Sequence, residues 1–109
     1  MSSFDPMAAA IDWLDTYRAS ALSIDDLYAD DATILCGCGG EKALAGPDAR
    51  KAYWTSRFVD KPAGDLVHLD DRGGDVVAVT YRTPTEMVQA VLSFDACSGL
   101  INLHRCGPL

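Results

Sequence analysis

Residues 66–105, LVHLDDRGGDVVAVTYRTPTEMVQAVLSFDACSGLINLHR, decide the fold. Runs rich in β-branched and apolar residues predict strands at 66–72, 76–83, 86–95 and 100–105. Short turn sequences separate these runs. Gly73-Gly74 suits a two-residue hairpin, because both residues can take a positive φ. Consecutive strands joined by short turns predict an antiparallel sheet.

The residues before this stretch carry helix signals. Asp5-Pro6 is typical of an N-cap followed by proline at the first helical position, and it predicts a helix over 6–20. Ser23-Ile24-Asp25-Asp26 resembles a capping box and predicts a second, short helix that ends near Tyr28. Gly46-Pro47-Asp48 predicts the start of a third helix, which ends at 61–64.

Two shorter β-type segments lie between the second and third helices, at 32–36 and 41–45, with glycines between them. The order therefore predicts one α+β domain over residues 1–109, in which three helices of the N-terminal half pack on a curved antiparallel sheet. A strongly curved sheet forms a cone with an open mouth, and small molecules bind in such mouths.

Composition excludes several classes of partner. The 109 residues carry a formal net charge of −7, which argues against nucleic acid and against an anionic membrane surface. We find no signal peptide and no apolar run long enough to span a membrane. Four cysteines occur, at 36, 38, 97 and 106. Without an export signal we expect reduced thiols and a cytoplasmic location.

Three motifs in order resemble the nuclear transport factor 2-like superfamily, which includes the SnoaL-like polyketide cyclases and the ketosteroid isomerases. The motifs are Leu27-Tyr28-Ala29-Asp30-Asp31-Ala32-Thr33, Ala45-Gly46-Pro47-Asp48-Ala49, and Phe94-Asp95 followed by Gly99-Leu100-Ile101. The resemblance covers nearly the whole chain. It implies a cone-shaped, cystatin-like α+β barrel and a homodimer formed through the outer face of the sheet.

The resemblance also indicates what this chain lacks. Ketosteroid isomerases need a carboxylate base and acidic donors for the enolate oxygen. The position of the base falls on Cys36, and that of the oxyanion-hole acid falls on Ala90. Of the three functional positions, only that of the donor tyrosine has a candidate in this chain, because it falls near Thr16 or Tyr17. We therefore predict that the chain is not a ketosteroid isomerase.

The same correspondence places residues from most elements of the domain in the pocket. On the last strand Asn102, His104 and Cys106 share a face by period-2 alternation. Core packing is the alternative role for the aromatic members. The predicted lining residues are Trp13, Tyr17, Cys36, Arg50, Trp54, Ala90, Asn102, His104 and Cys106.

His104 is the best catalytic candidate, because imidazole titrates near neutral pH, and Cys36 is the second. The two could form a thiolate–imidazole pair; the alternative is a buried thiol and a hydrogen-bonded histidine. Cys36, Cys38, His104 and Cys106 are ligand types for zinc, but their spacing departs from zinc knuckles. We expect no metal and no cofactor. An inward-facing Arg50 needs an anion, either a ligand carboxylate or an aspartate.

Three hypotheses for function follow. The first is a SnoaL-like domain that binds a small apolar or weakly anionic molecule and catalyses an isomerisation, a cyclisation or a dehydration. The second is a non-catalytic, dimeric interaction module, which a pocket filled by the protein's own side chains would favour. The third is a thiol-based or metal-binding site.

Overall fold

The computed structural model describes residues 4–37 and 42–108 and contains two α-helices, one 3₁₀ helix and six strands in that part of the chain. Two of these helical segments precede the first strand. The elements in chain order are α1 (Pro6–Arg18), the 3₁₀ helix (Leu22–Leu27), β1 (Tyr28–Cys36), β2 (Lys42–Ala45), α2 (Pro47–Asp60), β3 (Leu66–Gly73), β4 (Val76–Arg82), β5 (Met87–Phe94) and β6 (Ile101–Pro108).

The strands form one open sheet in the order β2-β1-β6-β5-β4-β3. This confirms the α+β class, with the helices in the N-terminal half. The pair β1–β6 is parallel, so the sheet is mixed rather than purely antiparallel as predicted. The tight turns after β3, β4 and β5 impose antiparallel pairing on their strands. No such turn joins β1 to β6, so local sequence does not define their relative direction.

Three element boundaries differ from the prediction. Helix α1 ends at Arg18, because Ser20 takes a left-handed backbone with φ of 54°. The 3₁₀ helix has no side-chain cap from Ser23. The turn between β3 and β4 is centred on Gly74 and Asp75, with φ of 60° and 61°, one residue later than expected.

The two α-helices begin where the sequence predicts. The Asp5 carboxylate accepts hydrogen bonds from the backbone N–H groups of Met7 and Ala8. Gly46, with φ of 89°, precedes α2 and turns the chain into it. Each helix buries one stripe of side chains at helical spacing. The stripes are Ala10, Trp13, Leu14 and Tyr17 on α1, and Arg50, Trp54 and Arg57 on α2.

The sheet supplies the opposite wall of the core. In β5 every second residue is buried, namely Val88, Ala90, Leu92 and Phe94. The core therefore lies between one face of the sheet and the two helical stripes.

Among the described helices, none combines the length and apolarity that a membrane crossing requires.

An ion pair inside this core joins α2 to the segment around β1. Arg50 is 1% exposed, and its Nε donates to the Asp25 carboxylate at 2.7 Å. Its Nη1 donates to the backbone carbonyls of Asp30 at 3.2 Å and Ala32 at 3.1 Å. The prediction that Arg50 lines a ligand pocket is wrong, because Asp25 neutralises it inside the protein.

We predict that Asp25→Ala destabilises the protein by about 3–5 kcal/mol, because it leaves the Arg50 charge buried without its carboxylate. Asp70→Ala is the matched control. It breaks the exposed Arg72–Asp70 pair and should cost less than about 1 kcal/mol. Urea unfolding of both variants measures the difference. Equal losses of unfolding free energy in the two variants would show that the buried ion pair contributes no more than the exposed one.

Candidate functional site

The structure brings most of the predicted pocket residues together at the centre of the molecule. The buried members come from both α-helices and from the two strands that pair in the middle of the sheet. They are Trp13, Tyr17, Trp54, Ala90, His104 and Cys106. The rings of Trp13, Tyr17, Trp54 and His104 contact one another there and form an aromatic cluster.

A hydrogen-bond chain through Tyr28 organises this cluster. The Trp13 indole N–H donates to the Tyr28 hydroxyl at 3.0 Å. The same hydroxyl lies 2.8 Å from Nδ1 of His104. These two contacts join α1, the start of β1 and the middle of β6. Sequence reasoning placed Tyr28 at the end of a helix and missed it as a site residue.

The chain of donors fixes the tautomer of His104. Burial raises the pKa of Tyr28, so its hydroxyl keeps its proton. The Tyr28 oxygen already accepts from Trp13, and among the described residues the acceptor available to its own proton is Nδ1 of His104. The imidazole proton of neutral His104 therefore sits on Nε2.

Two buried nitrogen atoms at this site have no hydrogen-bond partner among residues 4–37 and 42–108. They are Nε1 of Trp54 and Nε2 of His104. The two rings are stacked, with centroids 6.1 Å apart and planes 26° apart. The indole nitrogen is a donor only, and Nε2 of His104 carries a proton. The site therefore presents two unsatisfied N–H donors.

The environment of His104 changes its expected chemistry. Burial, with the positive charge of Arg57 as a second cause, lowers the pKa of His104 from 6.5 to about 3. The expectation that this imidazole titrates near neutral pH is wrong. At pH 7 it is a neutral hydrogen-bond donor and a very weak base.

Arg57 on α2 is a second residue that the sequence interpretation missed. It is 6% exposed, and it donates to the Tyr17 hydroxyl at 2.8 Å and the Tyr81 hydroxyl at 3.0 Å. Tyr17 in turn donates to the backbone carbonyl of Lys61. The signal for Arg57 was present, because it follows Trp54 by three residues on one helical face.

Cys36 lies at the rim of the cluster and does not pair with His104. Its register partner on β6 is Cys106, whereas His104 lies opposite Ile34. Cys36 and Cys106 line a cleft of about 510 Å³ together with Leu35, Gly37 and Arg105. Of the two alternatives that the sequence left open, the structure matches the second: Cys36 is a half-buried thiol, and His104 is hydrogen-bonded to Tyr28.

The prediction that Asn102 lines the pocket is wrong. This residue is exposed, so it does not share the inner face with His104 and Cys106. In the pairing with β5, Phe94 lies opposite Ile101 and Ser93 lies opposite Leu103. This irregularity leaves Asn102 as an extra residue and reverses the inward and outward alternation beyond it.

No group of three or more metal-ligating side chains comes together in the part of the chain that the structure describes. Cys38, one of the four ligands considered from the sequence, lies outside the described residues.

Several solved protein structures share the architecture of this chain. One is SalBIII, described as an epoxide hydrolase/cyclase-like enzyme with a role in pyran ring formation in the polyether salinomycin. It superimposes with a TM-score of 0.79 at 17% identity, over 95% of this chain and 90% of SalBIII. A protein assigned as a SnoaL-like polyketide cyclase from Shewanella denitrificans OS-217 gives 0.74 at 11% identity, over 93% and 88%. The chain has the SnoaL-like fold.

A cystatin-fold protein from Novosphingobium aromaticivorans also matches this chain, with a TM-score of 0.73 at 14% identity, over 94% of this chain and 97% of that one. No protein-family model matches the sequence, and a search of curated proteins finds no match. The fold expected from the three motifs is confirmed. Identities this low show the fold and leave the chemistry to the site itself.

The depressed pKa of His104 predicts how stability depends on pH. Between pH 6.5 and about 3 the unfolded chain binds a proton at His104 that the folded chain does not. The free energy of unfolding therefore falls as the pH falls, by up to about 1.4 kcal/mol per pH unit from this group. We expect His104→Gln to lose this contribution in urea unfolding between pH 6.5 and 4.5.

His68→Gln is the control, because His68 is the other histidine of the chain and is exposed. It should keep the wild-type slope of unfolding free energy against pH. A His104→Gln slope equal to that of the wild type would contradict the assignment.

Proposed function

We propose that this SnoaL-like domain binds a small, largely apolar molecule that carries an oxygen acceptor. The observation that carries the proposal is the pair of unsatisfied N–H donors of Trp54 and His104 inside an aromatic cluster. The earlier expectation of a cytoplasmic location stays a prediction.

Energetics support a ligand or water oxygen between these donors. Leaving one buried donor unsatisfied costs about 1–3 kcal/mol. Both atoms belong to fully buried side chains, at 0% and 1% exposure. A carbonyl, ether or epoxide oxygen that reaches either N–H group accepts its hydrogen bond and removes the cost at that donor. A charged amine or another donor does not.

The cleft at the end of β1 and β6 is the proposed entrance. Cys106 lines this cleft, and its Sγ lies 3.5 Å from the Tyr53 hydroxyl. The Tyr53 ring packs edge-on against Trp54, with centroids 5.1 Å apart. Rotation of the Tyr53 side chain would connect the cleft to the two donors. Arg105 at the cleft adds a positive charge that suits a weakly anionic ligand.

The chemistry that such a site supports is stabilisation of negative charge on oxygen. Epoxide opening and enolisation both place negative charge on an oxygen atom, and preorganised N–H donors stabilise it. A histidine that its surroundings hold neutral can serve this electrophilic role through the N–H on Nε2. We therefore assign His104 as a hydrogen-bond donor to the reacting oxygen in a cyclase-type or isomerase-type reaction.

Ketosteroid isomerase chemistry is not part of the proposal. Cys36 and Ala90 stand where the resemblance expects acids. Asp25 is a buried carboxylate of this region, and Arg50 binds it.

The two tryptophans of the chain allow a direct test by titration with bicyclic ketones while their indole N–H signals are followed by NMR. The Trp54 signal should move, because its N–H gains an acceptor. The Trp13 signal is the internal control, since its N–H is already bonded to Tyr28. Trp54→Phe should weaken ketone binding about tenfold.

Exocyclic-methylene analogues of the same ketones are the ligand controls, because they keep the shape and lose the acceptor. Their affinity should be unchanged in Trp54→Phe. A Trp54 signal that no ketone moves, or equal losses for ketone and analogue, would contradict the proposal.

A non-catalytic, dimeric interaction module is the second candidate. Two observations favour it: the pocket residues Trp13, Tyr17 and Trp54 belong to the buried core cluster, and apolar side chains are exposed at one end of β3 to β5. Leu66 and Val67 on β3 are 41% and 42% exposed, and Met87 on β5 is 37% exposed. We propose that a homodimer would form through this part of the sheet.

If this candidate is right, sedimentation velocity should show a dimer for the wild type and a monomer for Leu66→Asp. Leu22→Asp, at a residue of the 3₁₀ helix that is 51% exposed, is the control and should remain a dimer. A wild-type chain that stays monomeric at all protein concentrations tested would remove this candidate.

A further inference from the structure

Two cysteines face each other across the parallel strand pair β1–β6. Cys36 is the last residue of β1, and its register partner on β6 is Cys106. Register partners point to the same face of a sheet, and their side chains are neighbours. Both side chains also line the same cleft.

The backbone around this pair already holds the strands at the separation that a disulfide needs. The Gly37 N–H donates to the Cys106 carbonyl at 2.8 Å, directly beyond the two thiols. Neighbouring strands lie about 4.8 Å apart, within the roughly 4.4–6.8 Å between Cα atoms that disulfides span. Oxidation therefore requires rotation of two side chains and no rearrangement of strands.

Both thiols can be reached from solvent through the same cleft. Cys36 is half-buried and Cys106 is 8% exposed, and both line the cleft. Cys97, by contrast, lies in the exposed turn between β5 and β6. The position of the pair at the proposed entrance means that its redox state alters the wall of that entrance.

We propose that Cys36 and Cys106 form a reversible dithiol–disulfide site that reacts with small disulfides such as oxidised glutathione. This assignment is independent of the proposed ligand and reaction, because it rests on the strand register that pairs Cys36 with Cys106 and on the cleft that both residues line.

The reaction proceeds in two exchange steps. The Cys36 thiolate attacks one sulfur of oxidised glutathione, which breaks its S–S bond, forms a mixed disulfide and releases one glutathione thiolate. Cys106 then gives its proton to that thiolate, and its sulfur displaces the second glutathione from Cys36. Two protein thiols and one glutathione disulfide thus become one protein disulfide and two glutathione thiols.

Cys36 takes the first step because it is the more exposed of the two. The hydrogen bond with Cys36, together with burial, raises the pKa of the Cys106 thiol, which makes Cys106 a poor attacking group toward solvent. The contact with Cys36 makes it a well-placed resolving thiol instead. Closure would draw its Sγ away from the Tyr53 hydroxyl, now 3.5 Å distant.

The test uses the full chain with Cys38→Ser and Cys97→Ser, so that only the proposed pair remains. After incubation with oxidised glutathione, mass spectrometry should show the loss of two hydrogens and a peptide that links residues 36 and 106. Dithiothreitol should reverse both. The linked form should unfold at a higher urea concentration, because the crosslink encloses most of the chain and restricts its unfolded state.

Peptide mapping of the oxidised wild type gives the second arm, and it needs no variant to fold. A link between residues 36 and 106 supports the proposal, and a link that involves Cys38 or Cys97 overturns it. In the double variant, a product that stops at the glutathione adduct, or a link that forms only in urea, also overturns it. Adding Cys36→Ser should abolish the internal link.

Discussion

The Tyr28 hydroxyl, with the Trp13 indole on one side and the His104 imidazole on the other, is the contact on which the interior depends. It connects α1 to the parallel strands β1 and β6. Because this hydroxyl has one proton to give, it determines which nitrogen of His104 carries a proton. The hydrogen-bonding character of the site therefore depends on a residue that does not itself face the two unsatisfied donors.

Two buried arginine side chains lie at the sides of this aromatic cluster. Arg50 lies at one side of it, against Asp25 and two backbone carbonyls. Arg57 lies at the other side and donates to two tyrosine hydroxyls. Both guanidinium groups are buried together with hydrogen-bond acceptors, which keeps the cost of burying them low. Burial and the positive field of Arg57 keep His104 neutral.

The relation between fold and chemistry in this domain is typical of widely used folds. The three structural neighbours described above share between 11% and 17% identity with this chain, and they include a cyclase-like enzyme. Such a fold supplies a sheet, a helical cover and a mouth, and the residues placed in the mouth decide the reaction. In this chain two thiols and the exposed Arg105 line the cleft, and the two unsatisfied N–H donors are buried in the aromatic cluster.

The sequence by itself determined the order of the elements and most of the buried side chains. Local signals sufficed, because caps, turn residues and hydrophobic periodicity act within a few residues of one another. The resemblance to the nuclear transport factor 2-like superfamily, rather than these local signals, indicated Trp13, Tyr17, Trp54, His104 and Cys106 as inward-facing residues, and the structure buries all five. Tertiary structure alone decided the parallel pairing of β1 with β6, which puts Cys36 beside Cys106 rather than His104. It also decided the bulge that turns Asn102 to the surface, the pairing of Arg50 with Asp25, and the neutral state of His104. Each of these depends on groups that are distant in the chain, or on how one strand pairs with its neighbour, so no local pattern encodes them.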